Sequence, residues 1–74
     1  MKIRIDSAYI LYSKKNKSFI SADLYLHETF NYDKATKFRY LEDAKKTLKS
    51  ISSSITDHKS FSVGYIDVTM ELQD

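Results

Sequence analysis

The order of the hydrophobic patterns in this chain predicts an α+β fold: a three-stranded antiparallel sheet (β-β-α-β) with one amphipathic helix packed on one face. Alternating apolar residues indicate strands in residues 2–13, 18–27 and 61–72, and an apolar stripe at helical spacing indicates a helix in residues 41–53. With 74 residues, the chain has room for one small domain, residues 1–74.

The composition excludes several classes of protein. Without cysteine the chain has no disulfide, no thiolate zinc site and no cysteine nucleophile. No apolar run approaches the roughly 20 residues that span a bilayer, and no signal-peptide core follows Met1. The net charge of +2 combines a basic middle with an acidic C-terminal segment, without the dense basic stripe of a nucleic-acid-binding protein. We therefore expect a soluble cytoplasmic protein with no membrane partner.

The first two strands form a predicted hairpin whose register follows from the sequence. Residues 14–17 are polar and form the connecting loop. A loop of this length pairs positions whose numbers sum to 31, so that Leu11 faces Ile20 and one face of the hairpin is almost entirely apolar. A slip of one residue would set apolar residues opposite polar ones. On the other face this register places Tyr12 opposite Phe19 and Asp6 opposite Tyr25.

An apolar stripe at spacings of three and four residues predicts a helix from about Leu41 to Ser53. Acidic side chains in its first turn and lysines after them suit the helix dipole. Before it we expect a loop with a short helical turn near residues 33–36. Since the stripe continues upstream at the same spacing, a single helix over residues 33–53 is the alternative. The residues of the stripe are Leu41, Ala44, Leu48, Ile51 and Ile55.

The predicted core lies between the helix and one side of the sheet. In the last strand Ile66, Val68 and Met70 alternate with polar residues, so we expect these three to face the helix. Gly64, the only glycine, predicts a bulge or a close approach of two backbones. The predicted core comprises Ile3, Ile5, Tyr9, Leu11, Ile20, Leu24, Leu26, Phe38, Leu41, Ala44, Leu48, Ile51, Ile66, Val68 and Met70.

The sequence contains no recognisable catalytic or metal-binding motif. His27 and His58 are not in a metal-ligand spacing, and no serine is placed beside either of them for activation. A chain with one glycine cannot form a glycine-rich phosphate-binding loop. We therefore expect no enzymatic activity, no cofactor and no metal.

The feature that favours a function is the sheet face away from the helix. Solvated sheet faces are usually polar, whereas this face is expected to carry large aromatic and aliphatic side chains. Tyrosines ringed by lysines are typical of protein interfaces. The alternative is that these rings only form cross-strand pairs that stabilise the hairpin. The predicted binding residues are Ile10, Tyr12, Phe19, Tyr25 and Tyr65, with Val63 beside them and Lys14, Lys15 and Lys17 at the rim.

Three kinds of partner fit such a face. A second copy of the chain would form a symmetric dimer, another protein could dock on it, and single-stranded nucleic acid could stack its bases on the rings. Nucleic acid is disfavoured, because the net charge is small and because Asp6, Asp23 and Asp67 are expected on the same face, where they would repel phosphate.

Residues 32–48, which read YDKATKFRYLEDAKKTL, resemble a pattern in short phage-encoded accessory proteins. In that pattern a hairpin is followed by a turn with an alanine and a phenylalanine, here Ala35 and Phe38, then by an acidic helix start and a closing strand. The likeness covers about residues 9–70 and departs at Tyr40, where Ser or Thr would cap the helix. It implies a phage or mobile-element protein that acts in the host cytoplasm, similar to anti-CRISPR proteins and other inhibitors of host defence.

The resemblance and the aromatic face together predict a non-enzymatic protein that binds and inhibits a host protein by blocking a surface. A CRISPR effector or another defence nuclease is the expected target. A homodimeric structural or regulatory protein is the second hypothesis, and a small nucleic-acid-binding module is the third.

Overall fold

The computed structural model describes residues 1–73, which form one antiparallel sheet of four strands and one α-helix. The strands are β1 (Lys2–Ser13), β2 (Ser18–Ser21), β3 (His27–Thr29) and β4 (Phe61–Glu71), and the helix is α1 (Leu41–Ser50). Their order in the sheet is β3-β2-β1-β4. The α+β class with one antiparallel sheet and one helix is confirmed. The prediction of three strands is wrong, because the second predicted strand, residues 18–27, ends at Ser21 and an additional strand, β3, begins at His27.

The early end of the second strand follows from hydrogen bonds made by a later segment. The predicted hairpin register holds next to the loop, where Tyr12 pairs with Phe19. Further along, Tyr9 exchanges two backbone hydrogen bonds of 2.8 Å with Phe38, which takes the edge of β1 that β2 leaves. β2 ends at Ser21, and β3 folds back on its other side. The predicted pairing of Asp6 with Tyr25 is therefore wrong.

The helix lies where its apolar stripe predicts it. α1 begins after Tyr40, whose backbone is extended and whose side chain makes no capping hydrogen bond, and it leads directly into a 3₁₀ turn over Ile51–Ser53. The predicted start at Leu41 is thus confirmed, whereas the α-helix itself ends at Ser50 and only the 3₁₀ turn reaches the predicted end at Ser53. A single helix from residue 33 is wrong, because the chain is extended at Ala35 and Phe38 bridges to β1. The remaining 3₁₀ turns are Tyr32–Lys34 and His58–Ser60.

The core lies between α1 and the odd-numbered residues of β1 and β4. Leu11 pairs with Val63, and Ser13 pairs with Phe61, so Phe61 and Val63 face the helix. The prediction that even-numbered residues of β4 face the helix is wrong: Ile66, Val68 and Met70 lie on the opposite side of the sheet. The buried cluster is Leu11, Ile20, Ala44, Ile51, Ile55 and Phe61, with Tyr9, Leu26, Phe38, Leu48 and Val63 packed against it.

Several residues predicted in the core are exposed. Leu24 lies in the turn after β2 and is 93% exposed, and Leu41 is the first residue of α1. The others lie far along the β1–β4 ladder from the core cluster, which ends at Tyr9 on β1. The exposed members of the predicted core are Ile3, Ile5, Leu24, Leu41 and Met70.

The ladder between β1 and β4 contains one bulge. Arg4 pairs with Thr69 and Asp6 with Val68, so Ile5 has no partner. The bulge expected at Gly64 is absent there, since Gly64 pairs regularly with Ile10.

The burial difference gives a test of the core. We expect Ile51→Val to lower the free energy of unfolding by about 0.5–1.5 kcal/mol, because it removes a methylene from a fully buried side chain. Leu24→Ala removes more atoms but should change it by less than about 0.5 kcal/mol, since Leu24 is exposed. Urea unfolding followed by circular dichroism measures both, and a larger loss for Leu24→Ala would contradict this core.

Candidate functional site

Three aromatic rings lie in contact on the sheet face away from α1. Tyr12 and Phe19 are cross-strand partners on β1 and β2, with ring centroids 4.9 Å apart. Tyr32 meets Phe19 edge-on at 5.7 Å from the 3₁₀ turn, which Asn31 caps by accepting a hydrogen bond from the backbone N–H of Asp33. We call Tyr12, Phe19 and Tyr32 the aromatic row. Each ring is half-buried, so the row presents edges and faces in a fixed arrangement.

Lys37 ends the aromatic row with a positive charge. Its Nζ lies 4.3 Å from the centroid of the Tyr32 ring and donates a hydrogen bond of 2.6 Å to the backbone oxygen of Tyr32. The ammonium group therefore has a cation–π contact and a hydrogen bond to the same residue, which hold it beside the row.

The hairpin loop carries three further lysines at the end of the sheet where the row lies. Lys14, Lys15 and Lys17 are exposed. The ammonium group of Lys15 makes an ion pair of 3.5 Å with Asp57. Lys17 adopts a left-handed backbone conformation, with a φ of +55°, and this conformation turns the chain into β2.

The buried Ser13 and the half-buried Ser60 fix the hairpin loop to the segment before β4. The backbone N–H of Asn16 donates to Ser13 Oγ at 3.0 Å, and the hydroxyls of Ser13 and Ser60 are 2.8 Å apart. The Ser60 hydroxyl also donates to the backbone oxygen of Asp57, so Ser13 is the donor to Ser60. These linked hydrogen bonds set the position of the hairpin loop, residues 14–17, and of its lysines.

The other residues predicted to bind a partner are placed elsewhere. Ile10 lies on the face of the row but is only 6% exposed. Tyr25 is in the turn after β2, packed against His27 at 4.6 Å, and Tyr65 lies on the helix side of the sheet, against Tyr9 at 5.1 Å. The expectation that Tyr25, Tyr65 and Val63 share the face of Tyr12 is therefore wrong.

Two residues of the site were not predicted from the sequence. Tyr32 and Lys37 come from the loop between β3 and α1, and only the return of this loop to β1 at Phe38 brings them beside Phe19. Asn31 and Asp33 signal a turn, but nothing local shows which strand the turn packs against.

The carboxylates expected near the rings are also placed elsewhere. Asp67 lies on the helix side of the sheet and forms an ion pair of 2.9 Å with Arg4. Asp6 is six residues from Tyr12 along β1, about 20 Å in an extended strand. Asp23 is in the turn after β2. On β1 and β4, only Asp6 therefore shares the face of the row, and it lies far from the rings.

The residues that the structure describes contain no pocket and no group of three or more side chains suited to a metal ion. The two imidazoles make local contacts: His27 Nδ1 lies 3.0 Å from the backbone oxygen of Tyr25, and His58 Nδ1 lies 3.3 Å from that of Ile55. Within residues 1–73, α1 is too short and too polar to cross a membrane.

Comparison with known proteins gives no matching family model, curated sequence or solved structure.

The hydrogen bonds of Ser13 and Ser60 give a test of what positions the hairpin loop. Ser13→Ala should lower the free energy of unfolding by about 1–3 kcal/mol, because it removes the partner of Asn16 N–H and of Ser60 at a fully buried position. Ser52→Ala is the control, since the Ser52 hydroxyl makes an exposed bond to Lys49, and it should change stability by less than about 0.5 kcal/mol. Equal results in thermal or urea unfolding would contradict this role of the Ser13 hydroxyl.

Proposed function

We propose that this chain is a non-enzymatic protein that binds a host protein and inhibits it by blocking a surface, with the aromatic row as its contact site. The observation that carries the proposal is the contact of Tyr12, Phe19 and Tyr32 on a sheet face, next to lysines. The resemblance of residues 32–48 to short phage proteins suggests the target class, a CRISPR effector or another defence nuclease.

The packing of the row supports a binding role. Each ring rests against a neighbour, and Tyr32 is held further by Lys37, so docking would cost little side-chain entropy. Tyrosine and phenylalanine offer large apolar area, and tyrosine adds a hydroxyl that can bond to a partner. Such rigid aromatic groups are typical centres of protein interfaces.

The charge around the row favours an acidic partner surface. Lys14, Lys17 and Lys37 carry positive charges at this end of the sheet. Surfaces of opposite sign attract and orient each other. We therefore propose that the blocked surface presents carboxylates, and that it is not the basic channel in which a nuclease holds its nucleic acid.

Single-stranded nucleic acid is the second candidate. Rings in a row beside lysines can stack bases and bind phosphates, and the expected carboxylates are away from the row. Binding of this kind weakens steeply with salt, which distinguishes it from docking on a protein.

A cleavage assay tests the proposal. The purified chain, in tenfold excess over each of a panel of purified CRISPR effectors, should inhibit DNA cleavage by at least one of them. Tyr12→Ala combined with Tyr32→Ala should weaken inhibition by at least about tenfold, because two of the three rings are lost. Circular dichroism checks that the variant is folded.

Tyr25→Ala is the matched control, because it removes an exposed tyrosine that does not contact the row. Inhibition should be unchanged, and a loss as large as that of the double variant would place the contact site elsewhere. Full cleavage by every effector would contradict the target class. Salt-sensitive retardation of a single-stranded oligonucleotide, lost in the double variant, would instead favour nucleic acid.

A further inference from the structure

The β1–β4 ladder continues as a two-stranded ribbon beyond the rest of the sheet. Among residues 1–73, Tyr9 is the β1 residue nearest Met1 that pairs on the other edge of the strand, through its bond to Phe38, so no described strand accompanies the part of the ladder nearest Met1. We call this ribbon, residues 2–8 with residues 66–71, the β-arm. Two-stranded ribbons alone are marginally stable in water.

The β-arm has one apolar face and one polar face. The bulge at Ile5 shifts the parity of β1, so that Ile3 pairs with Met70 and lies on the same side as Ile66 and Val68. The other side carries the ion pair of Arg4 with Asp67, and the N-terminal amine lies 3.4 Å from Glu71. On the side away from α1, Ile3 and Met70 are therefore exposed to solvent, while Ile66 and Val68 are half-buried.

The chain has a larger solvent-accessible surface than a compact folded monomer of its mass. The accessible surface is 5592 Å² for 8.7 kDa, whereas a folded monomer of this mass exposes about 4,700 Å². The radius of gyration is 13.7 Å, against about 11 Å for a compact chain of this length. The surplus of about 900 Å² reflects the elongated shape of the molecule, in which the β-arm has little packed against it.

No strand in the described part of the chain pairs with the outer edge of β4. The backbone N–H of Leu72 donates a hydrogen bond to the backbone oxygen of Met1. Because hydrogen-bonded pairs alternate along an antiparallel ladder, the even-numbered residues of β4 direct their peptide groups to β1. The odd-numbered residues direct theirs to the outer edge. Residues 61–71 contain no proline and no lysine, the residues that commonly protect edge strands.

We propose that the partner of this edge is a second copy of the chain, with two β4 strands paired antiparallel about a two-fold axis at Val68. The two four-stranded sheets would then form one continuous sheet. The interface is distinct from the aromatic row, which lies at the other end of the ladder.

The sequence of β4 is self-complementary in this register. Val68 faces Val68 of the partner subunit, and Ile66 faces the partner's Met70, so the apolar faces of the two arms join. On the polar face, Asp67 lies opposite the partner's Thr69, and no like charges are opposed. Moving the axis to Asp67 would set two carboxylates against each other. With the axis at Ile66, Val68 would face a glycine.

Sedimentation equilibrium tests the oligomeric state. The natural chain should show the mass of a dimer at high concentration, twice 8.7 kDa, with a reversible fall toward the monomer on dilution. A monomer at every concentration up to about 500 μM would overturn the proposal, since the association would then be weaker than about −4.5 kcal/mol, too weak for a specific dimer.

Charge substitutions at the axis test the register. Val68→Lys and Val68→Glu should each weaken dimerisation by at least about tenfold, because like charges then face each other. An equimolar mixture of the two variants should restore the dimer. Leu24→Lys, at an exposed position outside the β-arm, is the control and should leave it unchanged. A dimer that persists in Val68→Lys, or that Tyr12→Ala disrupts instead, would overturn the β4 interface.

A cross-link provides a test that does not add charge. The chain has no cysteine, so Val68→Cys introduces a single thiol. Directly opposed residues at a non-hydrogen-bonded position of an antiparallel pair are about 4.5 Å apart at Cα, a separation that a disulfide can span. Mild oxidation should yield a covalent dimer, much faster than for Leu24→Cys. Equal rates for the two variants would overturn the proposed axis.

Discussion

The antiparallel ladder between β1 and β4 is the constraint on which the rest of the structure depends. It runs from the pair Lys2–Glu71 to the pair Ser13–Phe61 and therefore joins the two ends of the described chain. Because side chains alternate between the two faces of the sheet, the register of this ladder alone decides whether the odd-numbered or the even-numbered side chains of β4 face the helix. Phe61 and Val63 join Leu11 under α1, and the even-numbered apolar residues are left on the other side.

The lengths of the elements explain why so much apolar surface stays outside. α1 has ten residues, about 15 Å of helix, whereas β1 has twelve residues, about 40 Å of strand. One helix of this length can cover less than half of the ladder. The core is therefore concentrated at the hairpin end, and the β-arm extends from it, which gives the molecule a long axis of 50 Å.

Local features of this fold were predictable from the sequence, and features set by distant contacts were not. The polar loop at residues 14–17 fixes the pairing of Tyr12 with Phe19, and spacing alone locates α1. The parity of β4 was not predictable, because odd residues are apolar before Gly64 and even residues are apolar after it. The end of β2 at Ser21 depends on Phe38, which takes the edge of β1 from a distance in sequence. The same return of the chain brings Tyr32 and Lys37 beside Phe19. The residue pattern therefore predicted the pair of Tyr12 and Phe19 but not the contribution of this loop.

The two proposed surfaces lie at opposite ends of the ladder, so occupation of one does not block the other. The pair of Tyr12 with Phe19 lies beside the hairpin loop, while Val68 pairs with Asp6 in the β-arm. A two-fold axis at Val68 would leave both aromatic rows free, one at each end of an extended sheet. Two identical sites on one rigid body engage a repeated target with far higher avidity than either site alone, provided that the spacing matches. Dimerisation would thus stabilise the exposed arm of a small domain and also strengthen a contact site formed by only three rings and nearby lysines.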